Sequence, residues 1–169
     1  MPATYENITT TTLSSAAAFI TLSSIPQTYT DLKLTITGFS STGASNVGGY
    51  LLFNNDTAAN YAFTVLRANG SAVSTLNFAS NTQMNLTFGS SGTNTIPYFS
   101  TTDIFSYTNS LNKPCLIATS ADLNSPGNTE SFMGRWANSA ALNRIDIYTN
   151  AAANFGIGTI VTLYGIKNA

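Results

Sequence analysis

The apolar pattern of this chain is that of β-strands throughout, with no stretch of a dozen residues at helical spacing, and this restricts its fold more than any other feature. In Asp31-Leu-Lys-Leu-Thr-Ile-Thr, residues Leu32, Leu34 and Ile36 fall on one face of an extended segment, the period-2 signature of a half-buried strand. Gly49-Tyr-Leu-Leu-Phe-Asn and Tyr61-Ala-Phe-Thr-Val-Leu-Arg are two more strands, separated by the turn-rich Asn54-Asn-Asp-Thr-Ala-Ala-Asn. Asn69-Gly70 marks a tight turn, because both residues tolerate positive φ. Further strands are expected at 73–79, 83–88, 102–108, 115–121, 130–136, 142–148 and 158–166. No stretch of a dozen residues carries helical periodicity. The alanine runs 16–18 and 151–153 are too short to nucleate a helix and read as helical turns or tight sheet contacts.

Some ten short strands joined by Ser/Thr/Asn/Gly linkers predict an all-β fold. The expected architecture is a two-sheet antiparallel sandwich, jelly-roll-like. No compositional break divides the 169 residues, so they read as a single domain, with 1–16 as either an N-terminal arm or an edge strand. No fixed-period repeat is present, which argues against solenoids and propellers.

Charge narrows the function classes. Charged residues make up 8% of the chain, against about 25% in an ordinary soluble domain. Ser, Thr and Asn together number 64, so polarity comes from hydroxyls and amides. The net charge is −1 with six scattered cations, which leaves no basic patch for nucleic acid. The chain has no His, which removes the commonest general base and metal ligand. The single Cys115 has no disulfide partner within the chain and reads as a buried structural thiol. The opening Met1-Pro-Ala-Thr-Tyr-Glu lacks the basic region and apolar core of a signal peptide, so synthesis in a cytoplasm is expected. The apolar run Ala16 to Ile20 is too short to span a bilayer. Little charge of either sign leaves nothing to keep copies apart, which favours life in an assembly.

Catalytic and ligand-binding constellations are sparse. The acids are Glu6, Asp31, Asp56, Asp103, Asp122, Glu130 and Asp146, and no spacing selects a glycosidase pair among them. The oxygen-rich 54–60 segment lacks the spacing of a calcium loop and reads as turn chemistry. Trp136 with the many Tyr and Phe residues reads as sandwich core, although an exposed ring can stack on a sugar. Arg135-Trp136 is either an edge cation–π pair or a core Trp with a rim charge. Four Asn-x-Ser/Thr sequons (Asn7, Asn55, Asn69, Asn85) are about what this composition gives by chance. No catalytic, cofactor-binding or metal-binding residue is assigned, no cofactor is expected, and the reading is non-enzymatic.

Five segments, in order, resemble small β-rich virion proteins of tailed bacteriophages, the capsid-decorating (cement) and fibre proteins. They are Ile25-Pro-Gln-Thr-Tyr-Thr-Asp-Leu-Lys-Leu, Leu51-Leu-Phe-Asn-Asn-Asp-Thr-Ala-Ala-Asn-Tyr, Leu66-Arg-Ala-Asn-Gly-Ser, Arg135-Trp-Ala-Asn-Ser-Ala-Ala-Leu-Asn-Arg-Ile and Gly158-Thr-Ile-Val-Thr-Leu-Tyr-Gly-Ile-Lys. The resemblance implies a jelly-roll-like homotrimer displayed on the virion surface, partnered with itself and with the major capsid protein or another virion protein, and it implies no catalytic residues. The absence of a long repeat-rich shaft favours a decoration protein or head-fibre subunit. The alternative is a receptor- or host-glycan-binding fibre module, with the tip loops 40–48, 54–60 and 124–129 making the contact. No nucleic-acid or membrane partner is expected.

Overall fold

The computed structural model describes residues 4–38, 47–68, 70–88, 98–121, 129–149 and 154–167. Twelve strands follow in chain order: β1 (Tyr5–Thr12), β2 (Phe19–Leu22), β3 (Asp31–Gly38), β4 (Val47–Phe53), β5 (Tyr61–Ala68), β6 (Val73–Asn81), β7 (Met84–Phe88), β8 (Tyr98–Ile104), β9 (Lys113–Ala121), β10 (Thr129–Trp136), β11 (Ile145–Thr149) and β12 (Ile160–Ile166). They form an eight-stranded sheet, β1-β12-β3-β8-β9-β10-β5-β6, and a four-stranded sheet, β2-β11-β4-β7. Every pairing is antiparallel.

The pairing is nested. β1 pairs with β12, β2 with β11, β3 with β8 and β4 with β7. Alternate pairs fall in alternate sheets, so the chain is one long antiparallel ribbon rolled into two layers. This is the connectivity of a jelly roll. The hairpins β5–β6 and β9–β10 lie outside that ribbon and widen the large sheet beyond β8.

Alternation explains which residues fill the space between the sheets. Leu32, Leu34 and Ile36 of β3 are buried, as are Val161 and Leu163 of β12. Across the layer lie Ile20 and Leu22 of β2, Ile145 and Ile147 of β11, and Leu51 and Phe53 of β4. At roughly 25 cal/mol per Å² of apolar surface removed from water, this shared layer is the main driving force for folding.

Several expectations shift in the structure. β8 begins at Tyr98 and ends at Ile104, not at 102–108. Ser106 takes a positive φ of 50° and its carbonyl accepts from the Asn109 N–H at 3.0 Å, so the chain turns off the sheet there. Tyr107 is buried in the resulting loop, with its hydroxyl donating to the Pro26 carbonyl. β11 starts at Ile145, not at 142. Leu142 is instead buried in a loop, its N–H bonded to the Tyr107 carbonyl at 2.9 Å. β2 is an element that sequence reading missed. Ala17 makes an isolated bridge with Phe155, so the first alanine run is a sheet contact; residues 151–153 lie outside the described residues. Residues 5–12 form edge strand β1 in the chain's own sheet. Of the tip loops, 54–60 is described, while 40–46 and 124–128 lie outside the described residues.

Gly165 is among the glycines of this sheet that have a steric reason. A methyl group at Gly165 of β12 would sit 2.3 Å from the Tyr29 ring. The ring lies over that gap, its hydroxyl donates to Glu6 at 3.1 Å, and the Lys167 ammonium sits 5.2 Å from its centroid. Gly165→Ala is therefore expected to destabilise the protein by about 1–3 kcal/mol in urea unfolding, with an unchanged midpoint arguing against the contact. Deleting residues 1–16 strips β1 from β12 and removes the part-buried Ile8 and Leu13, which pack against the core. The expected loss is about 3 kcal/mol or more on the same measurement, and a truncated chain of full stability would show that β1 adds nothing.

Candidate functional site

One end of the sandwich is organised around a single carboxylate. Asn54 and Asn55 both take positive φ, 53° and 60°, and the Asp56 N–H closes on the Phe53 carbonyl at 2.9 Å. That is a type I′ turn, for which Asn is among the favoured residues. It places the Asp56 side chain against the end of β10. Its Oδ2 accepts from Trp136 Nε1 at 2.7 Å, Asn60 Nδ2 at 2.8 Å and Asn138 Nδ2 at 3.0 Å. Its Oδ1 accepts from the Ala58 N–H at 3.0 Å. Burial alone would raise this carboxyl, but the four hydrogen bonds outweigh it and hold the group down at about 2.

The oxygen-rich segment 54–60 is thus explained by turn chemistry. Asn54 staples the next loop as well, donating to Ala141 O at 2.8 Å and accepting from the N–H groups of Asn143 and Arg144. Trp136 is fully buried against Phe53, with ring centroids 5.7 Å apart. Of the two readings of Arg135-Trp136, the core Trp is correct. The cation beside it is a residue that sequence reading missed: Lys113, paired with Trp136 across β9–β10. Lys113 is buried, 5.4 Å from the indole centroid, and donates to the carbonyls of Leu111 at 2.9 Å and Asn138 at 2.7 Å. Burial lowers its pKa. Its register opposite Trp136 is the signal, and register is not visible in sequence.

A cleft of about 510 Å³ opens beside this cluster where residues 106–112 meet 137–139. Its walls include Ser106, Asn109, Leu111, Asn112, Asn138 and Ser139. Its described lining residues are uncharged, so the cleft offers hydrogen bonds to a neutral polar group.

The acids of the described residues are dispersed, each with its own partners. Glu6 pairs with Lys167 and Tyr29, which lower its pKa. Asp31 accepts from the Ser106 N–H, Asp103 pairs with Lys33, Glu130 with Arg67 and Asp146 with Arg144. Asp122 lies outside the described residues. Among the described residues no three His, Cys, Asp or Glu side chains cluster to hold a metal ion. Cys115 is buried, and burial pushes its thiol pKa up, which makes it inert.

The sheet edges differ sharply. An exposed edge presents unpaired N–H and C=O groups, and stable proteins blunt it by shortness, charge, bulges or proline. β2 has only four residues and β7 five. β1 carries a register break between Asn7 and Thr9 and the Glu6–Lys167 ion pair. β6 has nine residues, no charge and no proline. Its register is regular from Val73 to Phe78. It is exposed on both faces, with Val73 at 69% and Leu76 at 41%.

No protein-family model matches the chain, and no curated protein matches it. Among solved structures the chain is similar to part of one described as "Structure of infectious bursal disease virus Gx strain". The identity is 14%, the match covers 97% of this chain and 40% of that one, and the TM-score is 0.13. A superposition that poor carries no argument about fold or function.

Replacing Asp56 leaves the indole N–H and two amides without their acceptor. Asp56→Ala is expected to lose about 2 kcal/mol at neutral pH by urea unfolding. Because the folded carboxyl titrates at about 2, below its ordinary 3.8, the stabilisation is complete above about pH 4 and disappears as pH falls towards 2. The gap between wild type and Asp56→Asn should close over that window. A constant gap would mean that the charge of Asp56 plays no part.

Proposed function

We propose that this chain is a non-enzymatic structural subunit of a tailed-phage virion, a capsid decoration (cement) or head-fibre protein that assembles as a homotrimer. The observation that carries the reading is β6. It is a long, uncharged edge, exposed on both faces and regular in register from Val73 to Phe78 with its register break beyond that stretch, on a fold whose other three edges are short or ion-paired. An undefended edge in a stable protein is a surface meant to be covered, and a strand or sheet edge of a neighbouring subunit covers it by completing its hydrogen bonds.

The charge distribution supports the same reading. Four of the six cations are used in ion pairs with the chain's own carboxylates, which leaves a hydroxyl- and amide-rich exterior. Such a surface packs against neighbours with little charge to desolvate, the expensive part of most interfaces. The resemblance of the five ordered segments supplies the virion context, the copy number of three and the shell protein as partner.

The test is the solution mass by light scattering of the wild type and of Leu76→Lys. The expected result is a stable trimer for the wild type and a monomer of nearly unchanged thermal midpoint for the variant. A monomeric wild type overturns the assembly reading. A variant that stays trimeric removes β6 from the interface.

A further inference from the structure

The outer face of the four-stranded sheet carries a second feature, independent of β6. Cross-strand partners in an antiparallel sheet lie on the same face. Phe19 of β2 pairs with Tyr148 of β11, Tyr148 with Tyr50 of β4, and Tyr50 with Asn85 of β7. The row of rings is regular: Phe19 and Tyr148 are stacked with centroids 5.1 Å apart and planes 9° apart. Tyr50 follows at 5.1 Å, tilted by 40°. The Tyr148 hydroxyl donates to Gln83 Oε1.

The row ends on an open ring. β2 is the edge of its sheet. One face of Phe19 is stacked on Tyr148, yet the residue is 59% exposed, so its other face looks out past the edge. Two residues along the same face, Thr21 donates to Asp146 Oδ1 at 2.7 Å. Asp146 is buried and gripped by Arg144, with Nε at 2.8 Å from Oδ2 and Nη2 at 2.8 Å from Oδ1. Arg144 remains 39% exposed. Beside the open ring there is thus an exposed threonine and a part-exposed guanidinium, both fixed by one buried carboxylate.

We propose that this edge of the small sheet is a carbohydrate-binding site, with Phe19 as its stacking platform. A pyranose has an apolar C–H face that fits an aromatic ring and a rim of hydroxyls. Thr21, two residues from Phe19 on the same face, and the part-exposed Arg144 are the polar groups that would meet that rim. A nucleobase would also stack, but its phosphates need cations, and the only cation described here is neutralised by Asp146. An apolar peptide would not use the fixed Thr21–Asp146–Arg144 row. Pre-organisation of the ring by Tyr148, and of the guanidinium by Asp146, lowers the ordering cost of binding. This differs from the tip-loop location expected for a glycan contact, and it stands whether or not the chain assembles through β6.

The experiment is saturation-transfer NMR of the full chain with the methyl glycosides of glucose, galactose and N-acetylglucosamine at up to about 10 mM, where even weak sites register. The variants are Phe19→Ala and Phe19→Leu, the second keeping an apolar side chain on the strand but no ring. The expected result is transfer concentrated on the C–H protons of one sugar face, weakened about tenfold or more in both variants, while their thermal midpoints stay near that of the wild type. No transfer to any of the three sugars overturns the proposal. Transfer that survives in Phe19→Leu at wild-type strength overturns it too, because the sugar then binds elsewhere. If Phe19→Ala alone unfolds, Phe19→Leu decides.

Discussion

The Asp56 carboxylate is the fixed point of the described end of the sandwich. Four donors from the 54–60 turn, the end of β10 and the loop after it converge on its two oxygens. The turn and the loop are excursions from the sheets with backbone groups to satisfy. Without the carboxylate, the indole N–H of a fully buried Trp136 would lack its acceptor. With it, the tryptophan can pack inward against Phe53, and Lys113 can lie beside the ring with its ammonium on two carbonyls. A polar hub at the margin of the core therefore decides which large side chains enter it.

Much of this architecture is readable from residue order. The alternation of Leu32, Leu34 and Ile36 marks β3 to within a residue, and Asn54-Asn55 marks a turn because both side chains tolerate positive φ. What escapes is tertiary in origin. β2 is four residues long, too short for a period to register, and it exists because β11 pairs with it. Tyr107 and Leu142 look like strand residues, but each is an apolar anchor under a loop. Lys113 gives no local sign of burial, since its site is made by a tryptophan 23 positions away in the chain. Likewise Phe19, Tyr148 and Tyr50 come from three distant segments, and only register aligns them.

Scarcity of charge and abundance of hydroxyls prove to be one design. Cations are spent on holding the chain's own carboxylates in place, at Lys33–Asp103, Arg67–Glu130, Arg144–Asp146 and Lys167–Glu6. The exterior is left to threonine, serine and asparagine, which suit strand faces and turns and carry no long-range field. Such a surface neither steers nor repels, so shape and local hydrogen bonding decide what can pack against it.

The nested pairing of the ribbon has a kinetic consequence. Thr10 and Thr162 touch across a separation of 152 residues, a contact that is slow to form in an open chain because its loop-closure entropy must be met first. Nesting removes the difficulty by ordering the events. The hairpins β5–β6 and β9–β10 can form locally. Once β4 meets β7, the ends of β3 and β8 are already neighbours, and each later pair closes a short gap. The two termini would then be the last segments to lock and the first to open, while the inner pairs keep the sandwich together.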